Sequence, residues 1–565
     1  MIEMARSMHN LIPASRGTEP ADIVYRNAEI FDAFSCSWEH NDLAVKSGII
    51  VGIGQSYRGI SERDLCGAHL VPGLIDAHVH IESSLLVPYE YARLVASRGT
   101  TTVIADPHEI ANVAGVAGIE YMLAARTGAP VDILYMLPSC VPATPLDIGG
   151  ARLDAGLLSR FVGRAGVIGL GEMMNVPGVL GGDKEVLEKL SLSGIRDGHA
   201  PLLSGMDLNA YILAGLDSDH ECITQNEAEE KLRRGMYIFV REGSTEKNIE
   251  AIVPMITPYN VCRCSFSTDD CHADLLFREG HIDRCIRKAI SCGLEPELAI
   301  RMATLSAAER FGLSDRGALS PGRRADFCII DSPRTFRVKE TFFLGSPVSA
   351  YTDAPSVSFL SSSIRCTTPS PEQIRLSGHS LARVIGLVPG QIVTASLTYD
   401  LGTSAIPDTI RDLLKVVVCN RYGRGLVGTG IVHGFEFKRG AIAASVSHDA
   451  HNIVATGTSD TAILAAIETV IRAGGGMAAV NGHEVTVLPL DCAGLMSSLP
   501  ASEVTAKLDA LGKATTEMGG ITDPFMYLSF LALTVIPALR ITDRGLFDGV
   551  AFRDVPVFYG NDVSP

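Results

Sequence analysis

Two histidines, His78 and His80, stand one residue apart at the end of a short apolar run, and this spacing suits metal binding. Side chains two residues apart on an extended chain point the same way, with about 7 Å between their Cα atoms, so both imidazoles can reach one ion. A His-x-His pair also arises by chance, and a single buried histidine is usually only hydrogen-bonded. Taken alone, the pair is about equally consistent with a metal site and with two ordinary hydrogen-bonded histidines.

Further histidines and carboxylates follow later β-like runs of the chain. They are Glu172, His199, His220 and the pair Asp269-Asp270. Histidine and carboxylate groups are ligands for divalent zinc, iron and manganese. Each residue alone could be a polar group at the start of a loop, where exposure is normal. Their joint recurrence at strand ends favours one shared metal site.

The elements that must position these residues alternate along the chain from Val71 to about Ser320, each short β-like run being followed by a helix-compatible segment. This alternation is typical of βα units on a parallel sheet. Eight units over about 250 residues predict an α/β fold, a (β/α)₈ barrel, whose active site lies at the C-terminal ends of the strands. The predicted strands are Val71 to Ile75, Thr101 to Ala105, Val131 to Leu137, Gly166 to Gly171, Ile195 to Gly198, Leu213 to Leu216, Met236 to Val240 and Val261 to Phe266.

The regions on either side of the barrel have a different pattern, with short strands before it and another strand after it. We expect these two flanks to build one small β-sandwich domain, and a Ser/Pro/Thr-rich linker, Ser356 to Pro371, to lead to a separate C-terminal α/β domain. The predicted division is a loose tail at 1–20, the small domain at 21–70 and 321–383, the barrel at 71–320 and the C-terminal domain at 384–565.

Composition excludes several classes of partner. The 565 residues carry 48 Lys plus Arg against 64 Asp plus Glu, a net charge of −16, which disfavours nucleic acid and anionic membranes. The longest apolar stretch, Pro524 to Leu539, is shorter than the roughly 20 residues of a membrane span. The N-terminus lacks the apolar core of a secretory signal, and the 13 cysteines include no Cys-x-x-Cys pair. We therefore expect a cytoplasmic protein with reduced thiols.

The residues around the first histidine pair resemble a known family. The run Pro72 to His80 is similar to the first-strand signature of the amidohydrolase superfamily, and Pro321 to Asp326 is similar to its return to the small sheet domain. Five segments resemble, in order, the adenine deaminase branch of that superfamily. They are Asp76 to Ser84, Ala105 to Asn112, Gly169 to Met174, Asp197 to Pro201 and Ser267 to Asp270.

The resemblance implies a centre with two divalent ions, manganese being favoured, iron next and zinc least. Its implied ligands are His78 and His80 on one ion, His199 and His220 on the other, Glu172 as the bridge, and Asp269 shared between metal binding and proton transfer. Many relatives use a carboxylated lysine as the bridge, but the segment 166–174 contains no lysine. The implied reaction is hydrolytic deamination of adenine to hypoxanthine and ammonia, a step of purine metabolism, in which metal-activated hydroxide attacks C6.

A second polar cluster, Asp106, His108 and Glu109, follows the second predicted strand, where adenine deaminases also carry one. We predict that Asp106, Glu109 and the strand-eight residue Asp270 bind the purine. Glu82, His108 and Glu109 are the predicted acids for the ring, beside Asp269 as the catalytic base. The alternative is a structural role for Asp106, as an ion pair with Arg98 or as a helix cap.

Two other motifs carry weaker predictions. Gly423 to Gly428 matches a dinucleotide fingerprint in spacing, but the glycine-rich and aromatic segment after it does not predict the helix that this motif requires. The cluster His448, Asp449 and His451 could bind another metal, close over the substrate, or simply form hydrogen bonds at a domain interface.

Two alternative functions remain beside adenine deamination. One is another amidohydrolase, acting on a cyclic amide or an amino-sugar amide, and the other is a non-catalytic barrel scaffold. The scaffold is disfavoured because no implied ligand is missing from the sequence. The expected partner is adenine, and we expect a homodimer or larger homo-oligomer.

Overall fold

The computed structural model describes residues 2–144, 146–352, 357–358, 360–376, 381–402 and 404–559, with side chains from His9 onward. Residues 356 and 359 of the predicted linker lie outside the described residues. The strands are β1 Ala21–Asp32, β2 Ser37–Lys46, β3 Ile49–Ile53, β4 Gly59–Asp64, β5 His69–Pro72, β6 Leu74–Val79, β7 Thr100–Ala105, β8 Asp132–Leu137, β9 Val167–Met173, β10 Arg196–Gly198, β11 Ser218–Asp219, β12 Tyr237–Arg241, β13 Cys264–Ser267, β14 Phe327–Ile330, β15 Val338–Phe343, β16 Ser346–Pro347, β17 Leu381–Leu387, β18 Thr394–Asp400, β19 Leu414–Cys419, β20 Val427–His433, β21 Ala441–Ala444, β22 Ile453–Gly457, β23 Gly476–Asn481, β24 Glu484–Pro489, β25 Leu539–Thr542, β26 Gly545–Asp548 and β27 Arg553–Asp554. The α-helices are α1 Ile2–Ser15, α2 Pro88–Ala96, α3 His108–Ala114, α4 Val116–Ala125, α5 Ala155–Leu158, α6 Val176–Leu180, α7 Lys184–Leu190, α8 Gly205–Leu213, α9 Gln225–Arg233, α10 Ile249–Ile252, α11 Ala273–Arg278, α12 Ile282–Ser291, α13 Pro296–Arg301, α14 Ala307–Arg310, α15 Asp460–Arg472, α16 Ala501–Glu517 and α17 Pro524–Phe530.

A parallel sheet occupies the middle of the chain. Its strands follow chain order in two hydrogen-bonded runs, β6-β7-β8-β9-β10 and β11-β12-β13. A parallel bridge between Val79 and Asp269 joins the end of the first strand to the residues just after the last, so the sheet is curled. The curled parallel sheet agrees with the predicted α/β class, and its closure into a complete (β/α)₈ barrel stays a prediction.

Most residues of the parallel strands are buried, because both faces of the sheet are covered. Strand β7 has the sequence TTTVIA, and all six of its residues are buried. β-branched residues such as these pack well on a pleated surface and lower the cost of the extended conformation. The same pattern lets the sequence locate most of these strands to within a few residues.

The flanks of this sheet meet in a second, mixed sheet. Strand β14, which follows the parallel strands, pairs antiparallel with β5, which precedes them, and β5 runs parallel to β1. Tyr25, Phe327 and Phe342 pack together in the core of this sheet. The hydrogen-bonded path runs β16-β15-β14-β5-β1-β2-β3, with β4 paired to β1.

The C-terminal region forms a third sheet, in the order β18-β17-β20-β19-β22-β21-β23-β24. Alternate residues of β19 face opposite sides, as the period of a strand requires. Val417 and Cys419 pack against helix α15, while Val416 and Val418 belong to the large core shared with the parallel sheet. The C-terminal sheet therefore lies between α15 and the large core that includes the parallel sheet.

Two predicted elements are wrong. The proposed strand Leu213 to Leu216 begins at the last residue of α8, and the real strand, β11, starts two residues after it, at Ser218. A four-residue apolar run cannot be assigned by periodicity, and here Leu208 and Tyr211 are buried at the i, i+3 spacing of a helix. The predicted loose tail contains α1, whose Leu11 and Ala14 pack on Val24, again at helical spacing.

The weak prediction for the Gly423 to Gly428 motif agrees with the structure. Strand β20 begins at Val427, inside the Gly423 to Gly428 motif, and takes the place of the helix that dinucleotide binding would need. No helix among the described residues is long and apolar enough to cross a membrane.

Candidate functional site

The histidines and carboxylates singled out in the sequence gather at one edge of the curled sheet. His78 lies in β6 and His80 just after it, Glu172 lies in β9, and His199, His220 and Asp269 each follow directly or within two residues of a strand end. The C-terminal ends of parallel strands meet at one edge, which explains why residues nearly 200 positions apart come together. Except for the partly exposed His199, all are buried.

One histidine pair faces two carboxylate oxygens. His80 Nε2 lies 3.1 Å from Glu172 Oε1 and 3.1 Å from Asp269 Oδ1. His78 Nε2 lies 3.2 Å from the same Asp269 oxygen and 3.2 Å from His80 Nε2. Two imidazole nitrogens and two carboxylate oxygens thus converge on a single point, an arrangement that suits a divalent cation.

The second histidine pair faces the other oxygen of the same glutamate. Glu172 Oε2 lies 2.7 Å from His199 Nδ1 and 3.3 Å from His220 Nε2. Each oxygen of Glu172 therefore serves a different histidine pair, which is what a bridging carboxylate between two ions requires. The donor set of imidazole nitrogens and carboxylate oxygens fits two divalent ions.

Buried partners behind these groups fix their orientation. His80 Nδ1 is 2.9 Å from the carbonyl oxygen of Asp106, so that Nε2 is directed at the carboxylates. Asp76 accepts hydrogen bonds from the backbone N–H groups of His78 and Thr268, each at 3.2 Å. The first and last strands of the curled sheet are thereby tied together next to the cluster.

Two residues that the sequence did not reveal belong to this cluster. Arg241, the last residue of β12, donates to Glu221 Oε1 at 2.5 Å and also contacts Asp269 Oδ2. Glu221 Oε1 is in turn 3.5 Å from His220 Nε2. Their positions are the only signal in the sequence: Glu221 directly follows a predicted ligand, and Arg241 directly follows the predicted strand Met236 to Val240.

The second predicted cluster, after β7, is split by the structure. His108 Nδ1 lies 3.5 Å from Glu172 Oε1, and Glu109 Oε1 accepts from Ser83 Oγ at 3.1 Å. Ser83 also donates to Asp270. His108, Glu109 and Asp270 line a cavity beside the candidate ligands, which are called below the metal-ligand cluster: His78, His80, Glu172, His199, His220 and Asp269.

Asp106 and Glu82 are buried behind that cavity and are not among its described lining residues. Asp106 Oδ2 accepts from the Glu172 backbone N–H at 2.9 Å, so the described contacts support neither the Arg98 ion pair nor the helix cap. Glu82 Oε1 accepts from the Ile110 N–H at 3.1 Å, at the start of α3. Burial, together with the nearby charge of Glu109, raises the pKa of Glu82 to about 8.

The unassigned motif at His448 closes the cavity from the C-terminal domain. His448 Nδ1 is 2.8 Å from Glu109 Oε1, and its ring stacks on Phe530 with 4.5 Å between centroids. Burial alone would lower the pKa of His448, but the Glu109 carboxylate outweighs it and raises that pKa to about 9. His451 Nδ1 instead accepts from the Ser447 backbone N–H at 3.2 Å.

The resulting cavity has a volume of about 420 Å³ and is shared between domains. The metal-ligand cluster forms one end, and the C-terminal side contributes Ile392, His448, Asp449, Phe530, Leu533 and Ile536. The described lining contains no cysteine.

Comparison with known proteins gives matches over nearly the whole chain. The description "Amidohydrolase family" matches residues 69–352, and "Adenine deaminase C-terminal domain" matches residues 391–553. The adenine deaminase of Methanoregula boonei is 74% identical over 549 residues, which cover 97% of this chain and 98% of that protein. The adenine deaminase of Methanoculleus marisnigri is 59% identical over 517 residues, covering 92% of this chain and 99% of that protein. Among solved structures, N-acetyl-D-glucosamine-6-phosphate deacetylase from Mycobacterium smegmatis covers 58% of this chain and 99% of its own, with 17% identity and a TM-score of 0.44.

Proposed function

The chain belongs to the adenine deaminases of the amidohydrolase family, and on that premise we propose how its residues carry out the hydrolytic deamination of adenine to hypoxanthine and ammonia. The activity rests on 74% and 59% sequence identity, over nearly the full length of the chain, to proteins named adenine deaminase. The observation that carries the mechanism is the position of Glu172, whose two carboxylate oxygens each face one of two buried histidine pairs.

The proposed metal centre holds two divalent ions. His78, His80 and Asp269 would hold one, His199 and His220 the other, and Glu172 would bridge them. When bound, the ions supply a hydroxide nucleophile at neutral pH by lowering the pKa of water. We favour manganese, as the resemblance in sequence implies, with iron next and zinc least, because the bridging and shared ligands are carboxylates.

Asp269 is the proposed proton acceptor for the attacking water. Its Oδ1 faces His78 and His80, while its Oδ2 is held by Arg241. The arginine thereby fixes the plane of the carboxylate and keeps it ionised. We assign Arg241 a positioning role and Asp269 the proton transfer.

The cluster after β7 is the proposed binding site for the purine. His108 and Glu109 line the cavity next to Glu172, so they can donate to a ring nitrogen and orient the leaving amine. The Ser83 hydroxyl contacts both Glu109 and Asp270, so Asp270 lies on the same wall of the cavity as Glu109. Glu82 and Asp106 stand behind it, and we assign them the support of α3 and of Glu172.

We also propose that the curled parallel sheet closes into a complete (β/α)₈ barrel. The Val79 to Asp269 bridge supports this closure, because it links the first strand to the end of the last. A closed sheet would hold the ligands of both ions in one rigid ring of strand ends.

The test measures ammonia release from adenine, cytosine and a cyclic amide by protein reconstituted with manganese, together with bound metal. We expect adenine to be the preferred substrate, about two ions per chain, and a loss of both metal and activity in Glu172→Gln. Glu120→Gln, at an exposed ion pair with Arg164, is the matched control and should change neither. Faster hydrolysis of the cyclic amide than of adenine would contradict adenine as the preferred substrate. Full metal loading in Glu172→Gln would contradict Glu172 as the bridging ligand.

A further inference from the structure

Asp449 is a buried carboxylate without a full set of partners. It is 6% exposed and lines the cavity from the C-terminal domain. Its Oδ2 is buried and has no hydrogen-bond partner among the described residues, and its Oδ1 lies 3.9 Å from His108 Nε2. A buried polar atom left unpaired costs free energy, so such an atom facing a cavity indicates that a ligand supplies the missing donor.

The position of Asp449 relative to the metal-ligand cluster sets the size of that ligand. The ring of His108 lies between the two groups, with Nδ1 3.5 Å from Glu172 Oε1 and Nε2 3.9 Å from Asp449 Oδ1. Glu172 and Asp449 therefore lie at opposite ends of the His108 ring, and that ring forms one wall of the space between them. A flat bicyclic base with its reacting carbon at the metal-ligand cluster would present its far edge to Asp449.

The neighbouring residue holds Asp449 in this place. His448 is bound to Glu109 at 2.8 Å and stacks on Phe530. The loop between β21 and β22 is thereby fastened both to α3, which carries Glu109, and to α17, which ends at Phe530. A fixed carboxylate recognises a donor with little loss of conformational entropy.

The chemistry of adenine supplies one donor for that edge. With C6 at the metal-ligand cluster, the five-membered ring carries an N–H that the free base has and that a nucleoside has replaced by ribose. The other C-terminal side chains that line the cavity include the apolar Ile392, Leu533 and Ile536, which offer no side-chain partner to sugar hydroxyls. On the basis of the adenine deamination described above, we propose that Asp449 accepts a hydrogen bond from the imidazole-ring N–H of adenine and thereby selects the free base over its N9-substituted forms.

The experiment compares adenine with 9-methyladenine, which lacks the N9–H, in the metal-loaded wild type and in Asp449→Asn. Asparagine has nearly the same volume, so a change in selectivity cannot come from relief of a steric clash. We expect kcat/KM for adenine to fall roughly 10-fold or more, mainly through KM, while kcat/KM for 9-methyladenine changes less than about 3-fold. Asp449→Ala should give the same pattern with a larger loss.

The control is Asp543→Asn, which removes another buried carboxylate of the C-terminal region, one that accepts from Asn420 at 2.7 Å and is not among the described lining residues of the cavity. It should leave the ratio of the two substrates unchanged. Equal losses for adenine and 9-methyladenine in both Asp449 variants, or a wild type that uses both substrates equally well, would overturn the assignment. A wild type that releases no ammonia from adenine would instead reject the deaminase function itself.

Discussion

At the scale of single residues, adjacent carboxylates of this site have different surroundings and therefore different expected roles. Asp269 contacts His78, His80 and Arg241, whereas Asp270 contacts Ser83 and lines the cavity. The resemblance in sequence favoured Asp269 as the ligand and base, and these contacts support that choice.

Replacement of Asp269 by asparagine should separate its two roles. Asparagine keeps the size and one oxygen ligand but cannot accept a proton, so Asp269→Asn should lose roughly 10²- to 10⁴-fold in kcat and much less bound metal. Asp270→Asn should change KM more than kcat. The measurement is kcat, KM and bound metal for both variants in parallel. An inactive Asp270→Asn beside a nearly normal Asp269→Asn would mean that the roles are reversed.

At the scale of elements, one buried arginine organises the C-terminal wall of the cavity. Arg540, at the start of β25, donates to the carbonyl oxygens of Phe530, Ile536 and Pro537 at 2.7 to 2.9 Å, and to that of Ile392 at 2.9 Å. Burial lowers its pKa to about 9. Two separate segments that line the cavity are thus joined by a single side chain.

Replacing Arg540 by methionine should loosen that wall, because the buried carbonyls lose their donors. We expect a stability loss of at least about 3 kcal/mol and a several-fold rise in KM for adenine, with a smaller effect on kcat. The measurements are thermal unfolding and steady-state kinetics. The control is Arg411→Met, which removes a more exposed arginine bound to Asp408. An unchanged KM in a destabilised Arg540→Met would show that Arg540 supports folding without shaping the site.

At the scale of the whole molecule, an ion-pair cluster connects the parallel sheet to the small mixed sheet. Asp132, at the start of β8, lies 2.8 Å from Arg316 and 2.9 Å from Arg324, both in the segment that leads to β14. Burial would raise the pKa of Asp132, but these two guanidinium groups outweigh it and lower that pKa to about 2.

This shift makes the stability of the protein depend on pH in acid. Because the pKa of Asp132 is lower in the folded than in the unfolded chain, its contribution of about 2 kcal/mol is complete above about pH 4 and is lost as the pH falls toward 2. Asp132→Asn should remove that contribution at neutral pH and flatten the decline between pH 4 and 2, as measured by denaturant unfolding. Asp509→Asn, at an exposed pair with Arg278, should change stability by less than about 1 kcal/mol. A parallel pH dependence in Asp132→Asn and wild type would contradict the argument.

The sequence by itself determined the features that depend on short-range spacing. The apolar runs fixed most of the parallel strands, and the residues just after them, such as His80 and His199, had to lie at one edge because parallel strands share their direction. Strand β11 and helix α1 were not determined in this way. Strand β11 has only two residues, and of the α1 side chains that the structure describes only Leu11 and Ala14 are buried, so neither pattern is long enough to identify the element.

Only the tertiary structure decided which distant segments complete the site. His448 and Asp449 stand in a loop almost 180 residues after Asp269, and no local pattern tells which cavity such a loop will cover. Arg241 could have pointed to either face of its strand end until the positions of Glu221 and Asp269 were known. Contacts of this kind depend on how whole sheets pack, which is set by the summed burial of many side chains and not by the spacing of a few.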